Sequence, residues 1–160
     1  MTGEAGTAGT QPVKSIQTPI ALDYRYTPGT ASSRFLRAVA EGRLIGQRCP
    51  ACGKVYIPPR GSCPTDGVPT EEEVAVADRG VISTFCVVNV PFAGHAIEMP
   101  YVAASILLDG ADLPIFHLVQ GVAPDRVGMG MRVRAVWRPR EEWGPTMENI
   151  SHFRPEEDPA

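Results

Sequence analysis

Two short stretches of this 160-residue chain hold the residue types whose spacing could do chemistry, Cys49-Pro50-Ala51-Cys52-Gly53 and Cys63-Pro64-Thr65-Asp66-Gly67. Together they read C-x2-C-x10-C-x2-D, the two halves of a zinc ribbon with Asp where the last Cys would stand. Tetrahedral zinc takes four ligands at about 2.0–2.3 Å, usually thiolates in structural sites. A C-x2-C pair on a tight turn offers two sulfurs to one metal. Gly53 and Gly67 let each turn pass through positive φ, where a Cβ would clash. Pro50 and Pro64 each follow the first Cys of their half, and this internal similarity argues against chance. Asp66 carries the charge of a thiolate but is a harder, shorter-bonding ligand. Three readings stay open: a structural zinc held by Cys49, Cys52, Cys63 and Asp66, a decayed site without metal, and a catalytic zinc with an open position. The remaining cysteine, Cys86, lies in an apolar strand pattern and is expected as a small buried core residue. A C-x2-C pair in a chain of this length fits metal and a reducing compartment better than a disulfide framework.

The elements that position this motif can be read on either side of it. Residues 1–31 read as an extended or disordered arm, with a Gly/Thr/Ala-rich start and then Ile16, Ile20, Leu22, Tyr24 and Tyr26 among prolines. Ser32 or Ser33 is a plausible N-cap for a short helix over 32–42, with Phe35, Leu36 and Val39 on one face and Gly42 as its stop. The ribbon module is expected over 43–73, with strands at Leu44 to Arg48 and Val55 to Ile57 flanking the first knuckle. Glu71-Glu72-Glu73 reads as a solvated connection. From 74 to 155 the pattern is β, with strands expected over Val81 to Val90, Tyr101 to Leu108, Leu113 to Val119, Met131 to Trp137 and Met147 to Phe153. Ala123 to Arg126 could open one helical turn, and residues 156–160 form an acidic tail. Five short strands with little helix make the chain mainly β, a five-stranded oligonucleotide/oligosaccharide-binding (OB) barrel preceded by a short helix and a zinc ribbon.

Composition narrows the function classes. The net charge of −3 gives no general attraction for nucleic acid or anionic membranes. No apolar run of about 18 residues suggests a membrane span, and no apolar leader opens the chain, so a cytoplasmic protein is expected. His95, His117 and His152 are scattered, and no phosphate loop, dinucleotide fingerprint or G-x-S-x-G motif occurs. No catalytic residue is assigned to this chain alone. Arg132, Arg134, Arg138 and Arg140 recur with period two, as a solvated sheet face or as a phosphate or partner surface. The Pro91 to Pro100 segment carries Phe92, Ile97 and Met99 just before Tyr101, and either packs on its own barrel or meets a partner.

The ordered set of Gly42-Arg43-Leu44, Gln47-Arg48-Cys49, Cys52-Gly53, Pro58-Pro59-Arg60, Cys63-Pro64, Gly80, Phe85 to Val90, Pro100-Tyr101-Val102, Leu108-Asp109 and Gly128-Met129 resembles the thirty-fifth domain-of-unknown-function family. Those proteins join a rubredoxin-like zinc ribbon to an OB-fold. The resemblance covers residues 33–153. It implies a small non-catalytic partner of a thiolase-superfamily enzyme that handles acyl-CoA. Family settings include a thiolase coupled to hydroxymethylglutaryl-CoA synthase, acetyl transfer to phloroglucinol, and retro-aldol cleavage of steroid side-chain CoA thioesters. Under that resemblance Pro58, Pro59, Arg60, Phe92, Ile97, Met99 and Tyr101 become candidate contacts for the partner or CoA. The family usually has Cys at the position of Asp66. Two other classes compete, a single-strand nucleic-acid-binding OB module and a zinc-dependent thioester hydrolase. An aromatic content of 7% with a net negative charge counts against the former.

Overall fold

Helix α1 (Thr30–Ala40) buries one stripe, Phe35, Ala38 and Val39, and leaves Arg34 and Arg37 in water. The computed structural model describes residue 15 and residues 22–91 and 97–156. The apolar arm residues Ile16 and Ile20, the loop residues Phe92 and His95, and the end of the tail therefore lie outside the described residues. Leu22 to Gly29 carries no regular structure and exposes Leu22, Tyr24 and Tyr26. The helix begins two residues before Ser32. Gly29 takes the N-cap without a side-chain cap, and the Ser33 hydroxyl instead donates to the Pro28 carbonyl at 3.3 Å.

Strands β1 (Leu44–Arg48), β2 (Val55–Tyr56) and β3 (Glu72–Val76) form an antiparallel sheet in the order β2-β1-β3. The acidic run is thus corrected: Glu72 and Glu73 start a strand. Their backbones pair with Arg48 and Gln47 of β1 while both side chains stay in water, and Arg48 donates to Glu72 at 3.3 Å. A cross-strand partner outweighs the low strand preference of glutamate.

Strands β4 (Arg79–Val88), β5 (Tyr101–Leu108), β6 (Ile115–Val119), β7 (Arg132–Trp137) and β8 (Ile150–Pro155) close into a barrel in the order β4-β5-β6-β8-β7. All neighbours are antiparallel except β6 and β8. Short 3-10 turns at Pro124–Arg126 and Met147–Asn149 precede β7 and β8. Gly80 leaves no room for a side chain against β5: a Cβ there would lie 2.1 Å from the Leu107 carbonyl oxygen.

One apolar cluster runs from Phe35 and Val39 through Leu44, Ile45, Val55 and Ile57 into Ile82, Val102, Ile106, Val133, Ile150 and Phe153. Each such side chain contributes about 1.5–3 kcal/mol on burial. Helix, small sheet and barrel therefore share a core. Buried Asn149 locks the join, donating to the Val39 carbonyl at 3.1 Å and the Gly144 carbonyl at 2.7 Å.

Cys86 is a second correction, because its side chain is exposed. A bulge between Ile82 and Thr84 resets the alternation of β4, so Phe85 and Val87 pack on the core and Cys86 turns outward.

Candidate metal centre and barrel faces

The two knuckles are built alike. The Cys49 amide donates to the Lys54 carbonyl at 2.9 Å, and the Gly53 amide donates to the Cys49 carbonyl at 3.0 Å. In the second knuckle Cys63 donates to Val68 at 2.8 Å, and Gly67 to Cys63 at 2.9 Å. Gly53 and Gly67 both take positive φ, +75° and +68°. The Ala51 and Cys52 amides point at the Cys49 sulfur, each at 3.4 Å. A loop thus converges several N–H groups on a sulfur, which suits a thiolate.

The donor atoms of Cys49, Cys52, Cys63 and Asp66 all lie within 4.8 Å of one another. Cys52 Sγ and Cys63 Sγ stand 3.8 Å apart. Asp66 Oδ2 lies 3.4 Å from Cys49 Sγ and 3.2 Å from Cys63 Sγ. A regular tetrahedron with Zn–S of about 2.3 Å and Zn–O of about 2.0 Å has S–S edges of roughly 3.8 Å and S–O edges of roughly 3.5 Å. The residues therefore fit zinc, with Asp66 as the fourth ligand. Four protein donors leave no place for an exchangeable water, so the site has the closed form of a structural centre. Bound zinc would supply a cross-link between the knuckles.

Electrostatics in the donor cluster follow from crowding. The Cys63, Cys52 and Cys49 thiols donate to Asp66 and hold its carboxyl below the usual range. The Lys54 backbone amide lowers the Cys52 thiol, but burial and the hydrogen bonds to Asp66, Cys49 and Cys63 outweigh it and push that thiol up to about 11. Cys63 moves the other way. Burial raises it, yet donation from the Tyr56 hydroxyl and the Asp66 and Thr65 amides leaves it below the ordinary thiol value. The Tyr56 hydroxyl lies 3.2 Å from Cys63 Sγ, under the cluster.

Sequence reasoning missed three supports of this site: Tyr56, Gln47 and Thr70. Gln47 is buried on β1, and its Oε1 accepts from the Gly61 amide at 3.2 Å and the Thr70 hydroxyl at 3.1 Å. This clamps the second knuckle to the sheet. The available signal was a polar residue next to the apolar start of a strand, Leu44-Ile45-Gly46. Asp112, from the barrel loop after β5, accepts from the Val55 amide at 2.7 Å, and its own amide donates to the Val55 carbonyl at 3.0 Å. The ribbon is tied to the barrel at that point.

The candidate contact residues do not all lie together. Pro58 and Arg60 are exposed and Pro59 is buried. Ile97 and Tyr101 line a groove of about 400 Å³ with Cys86, Val88, Phe116 and Leu118, on the outer face of β4, β5 and β6. Met99 is half-buried. The register sets Cys86 beside Ala103 and Ala103 beside Leu118, with Val88 beside Tyr101. Phe116 is 68% exposed on this face. The outward-facing surface of an antiparallel sheet is ordinarily polar, and this one is apolar.

His117 and His152 find partners within the barrel. His117 Nδ1 accepts from the Leu118 amide at 2.9 Å, and its ring meets Phe153 edge-on at 5.6 Å. Burial holds its pKa below the usual histidine value. His152 Nδ1 is 3.2 Å from the Ser151 hydroxyl.

A structural zinc ribbon leading into an OB barrel defines the class of protein. Residues 37–72 match the family model described as "ChsH2, rubredoxin-like zinc ribbon domain", and residues 73–138 match "ChsH2, C-terminal OB-fold domain". A "DUF35 domain-containing scaffold protein" of Methanocaldococcus jannaschii is 38% identical over 102 residues, which is 63% of this chain and 72% of that protein. The chain belongs to the DUF35 family. A "Probable enoyl-CoA hydratase alpha subunit" of Thermomonospora curvata is 34% identical over 130 residues, 79% of this chain but only 40% of that protein's length. Among solved structures, a chain of the "Ltp2-ChsH2(DUF35) aldolase" matches with a TM-score of 0.61 at 29% identity, covering 82% of this chain and 98% of that one. A DUF35-family protein of unknown function from Sulfolobus solfataricus matches with a TM-score of 0.58, covering 79% of this chain and 84% of that one; at 17% identity the likeness is one of fold.

Proposed function

We propose that this chain is a non-catalytic accessory subunit that docks on and stabilises a thiolase-like acyl-CoA enzyme. The observation that carries the reading is the likeness to the chain of the Ltp2-ChsH2(DUF35) aldolase, which extends over 98% of that chain. The scaffold designation of the Methanocaldococcus jannaschii relative supports the same role. The candidate metal centre, closed by four protein donors, supports a structural part for the metal and no chemistry on it. The apolar outer face around Phe116, Tyr101 and Ile97 is the docking surface of this reading, and burying it on a partner would remove its exposure to water. A retro-aldol lyase or an acyltransferase acting on a lipid or steroid side-chain thioester is the enzyme class we assign to the partner.

Isolation of the tagged chain from its native cells tests the proposal. A thiolase-like chain recovered at near-equal stoichiometry and retained at high salt is the expected result. A lone monomer, or a chain carrying nucleic acid, would overturn it.

A further inference from the structure

The barrel's other outer face carries an arrangement that the described residues do not neutralise. In the register of β4, β7 and β8, Arg79 stands beside Arg134, and Arg134 beside Arg154. All three are exposed. Neighbouring strands lie about 4.8 Å apart, so three guanidinium groups form one row across three strands. Like charges directly opposite one another on a sheet are destabilising. Arg79 reaches Asp109 at 3.7 Å, but Asp109 is already gripped by Arg132 through two hydrogen bonds of 2.7 Å. Arg132 also takes Glu156 at 3.2 Å. Among the described residues, Arg134 and Arg154 have no carboxylate within ion-pair distance. A basic strip is thus concentrated on a chain whose net charge is −3.

We infer that the Arg79–Arg134–Arg154 row is an electrostatic docking strip for a carboxylate-rich protein surface, on the face of the barrel that the apolar groove does not occupy. Only the identity of the partner, the acyl-CoA enzyme, rests on the accessory-subunit reading. The guanidinium fork pairs two-on-two with carboxylates, and a flat row on a sheet matches a surface more readily than it encloses a small ligand. Nucleic acid is disfavoured by the neighbours of the row. Single-strand sites interleave cations with stacking aromatics. Here the residues two positions away are Val81, Arg132, Val136 and His152 on the strands, with Ala77 and Glu156 just past the strand ends. Charge complementarity of this kind acts chiefly on association rate and orientation.

The row can be tested without the enzyme. The side-chain Nε–Hε signals of Arg79, Arg134 and Arg154 are followed by NMR while poly-L-glutamate or a single-stranded oligonucleotide is added to the full chain. The expected result is saturable movement of all three with poly-L-glutamate. The apparent affinity should weaken at least tenfold between low salt and about 0.15 M ionic strength, where the Debye length is about 8 Å. A double variant, Arg134→Ser with Arg154→Ser, should lose that binding with an unchanged circular dichroism spectrum. Three outcomes would overturn the proposal: no movement, equal binding by the variant, or tighter binding of the oligonucleotide than of poly-L-glutamate. Movement seen only after residues 157–160 are removed would also overturn it, because the chain's own acidic tail would then be the counter-charge. Failure here leaves the accessory-subunit reading intact, and absence of an enzyme partner in native cells leaves this result standing.

Discussion

Around the knuckles, Cys49, Tyr56 and Cys63 are buried with only Val68 and Leu113 packed at their edge, whereas the barrel cluster runs without interruption from Phe35 to Phe153. The first region buries little apolar surface, and a metal held by its four donors would cross-link it. The second needs no metal. That contrast sets where each kind of damage will stop, because Leu44, Ile45 and Val55 of the ribbon sheet belong to the large core while Tyr56 and the two knuckle turns do not.

Removing the metal is the widest way to break the comparison. Chelation is expected to unfold residues 49–54 and 61–70 and leave the barrel intact, since metal binding and folding are one free energy where the site is not preformed. Hydrogen exchange with and without chelator reads this directly. Loss of protection throughout β4 to β8 would mean that the two regions are one cooperative unit.

In the opposite direction, Phe153→Ala removes a ring that is 0% exposed. It should cost about 3–5 kcal/mol in chemical denaturation. The zinc content of the folded fraction should stay at one equivalent.

Asp66 sharpens the contrast within the ribbon. Asp66→Cys should keep the site charge and exchange a hard oxygen for a soft sulfur, so zinc is retained against higher chelator concentrations. Asp66→Ala should lose metal at lower chelator. Equal retention by all three proteins would remove Asp66 from the ligand set.

The smallest effect lies on the barrel surface. The Arg132 hydrogen bonds hold the Asp109 carboxyl below the usual range. Its stabilisation is therefore present above the unfolded carboxylate pKa and is lost as pH falls through the lowered folded value. Asp109→Asn should cost about 1 kcal/mol or less at neutral pH, because the pair is partly exposed. Its deficit relative to the wild type should shrink in acid, as followed by thermal melts across pH.

The legible and illegible parts of the chain divide along sequence distance. C-x2-C and C-x2-D are local patterns, so the knuckles, their glycines and the four donors could be read directly. The strand at Tyr101–Leu108 was bounded by Pro100 and by the Asp109-Gly110 turn, and it stands as expected. The five-strand count marked a barrel. Features set by pairing between distant segments left no local trace. Glu72 and Glu73 looked solvated until β1 supplied their partners. Cys86 looked buried because one bulge residue inverts the alternation. Arg132 to Arg140 looked like one period-two face. In the fold Arg138 and Arg140 lie beyond β7, while Arg134 meets Arg79 and Arg154 from other strands.

In the proposed function the apolar face of β4, β5 and β6 seats an enzyme. Analytical ultracentrifugation of the co-purifying thiolase-like enzyme with this chain and with its Phe116→Asp variant tests it most directly. The wild-type chain should co-sediment at equal stoichiometry, and the variant, equally folded, should sediment alone. Equal co-sedimentation of both, or of neither, would mean that this face is not where the enzyme docks.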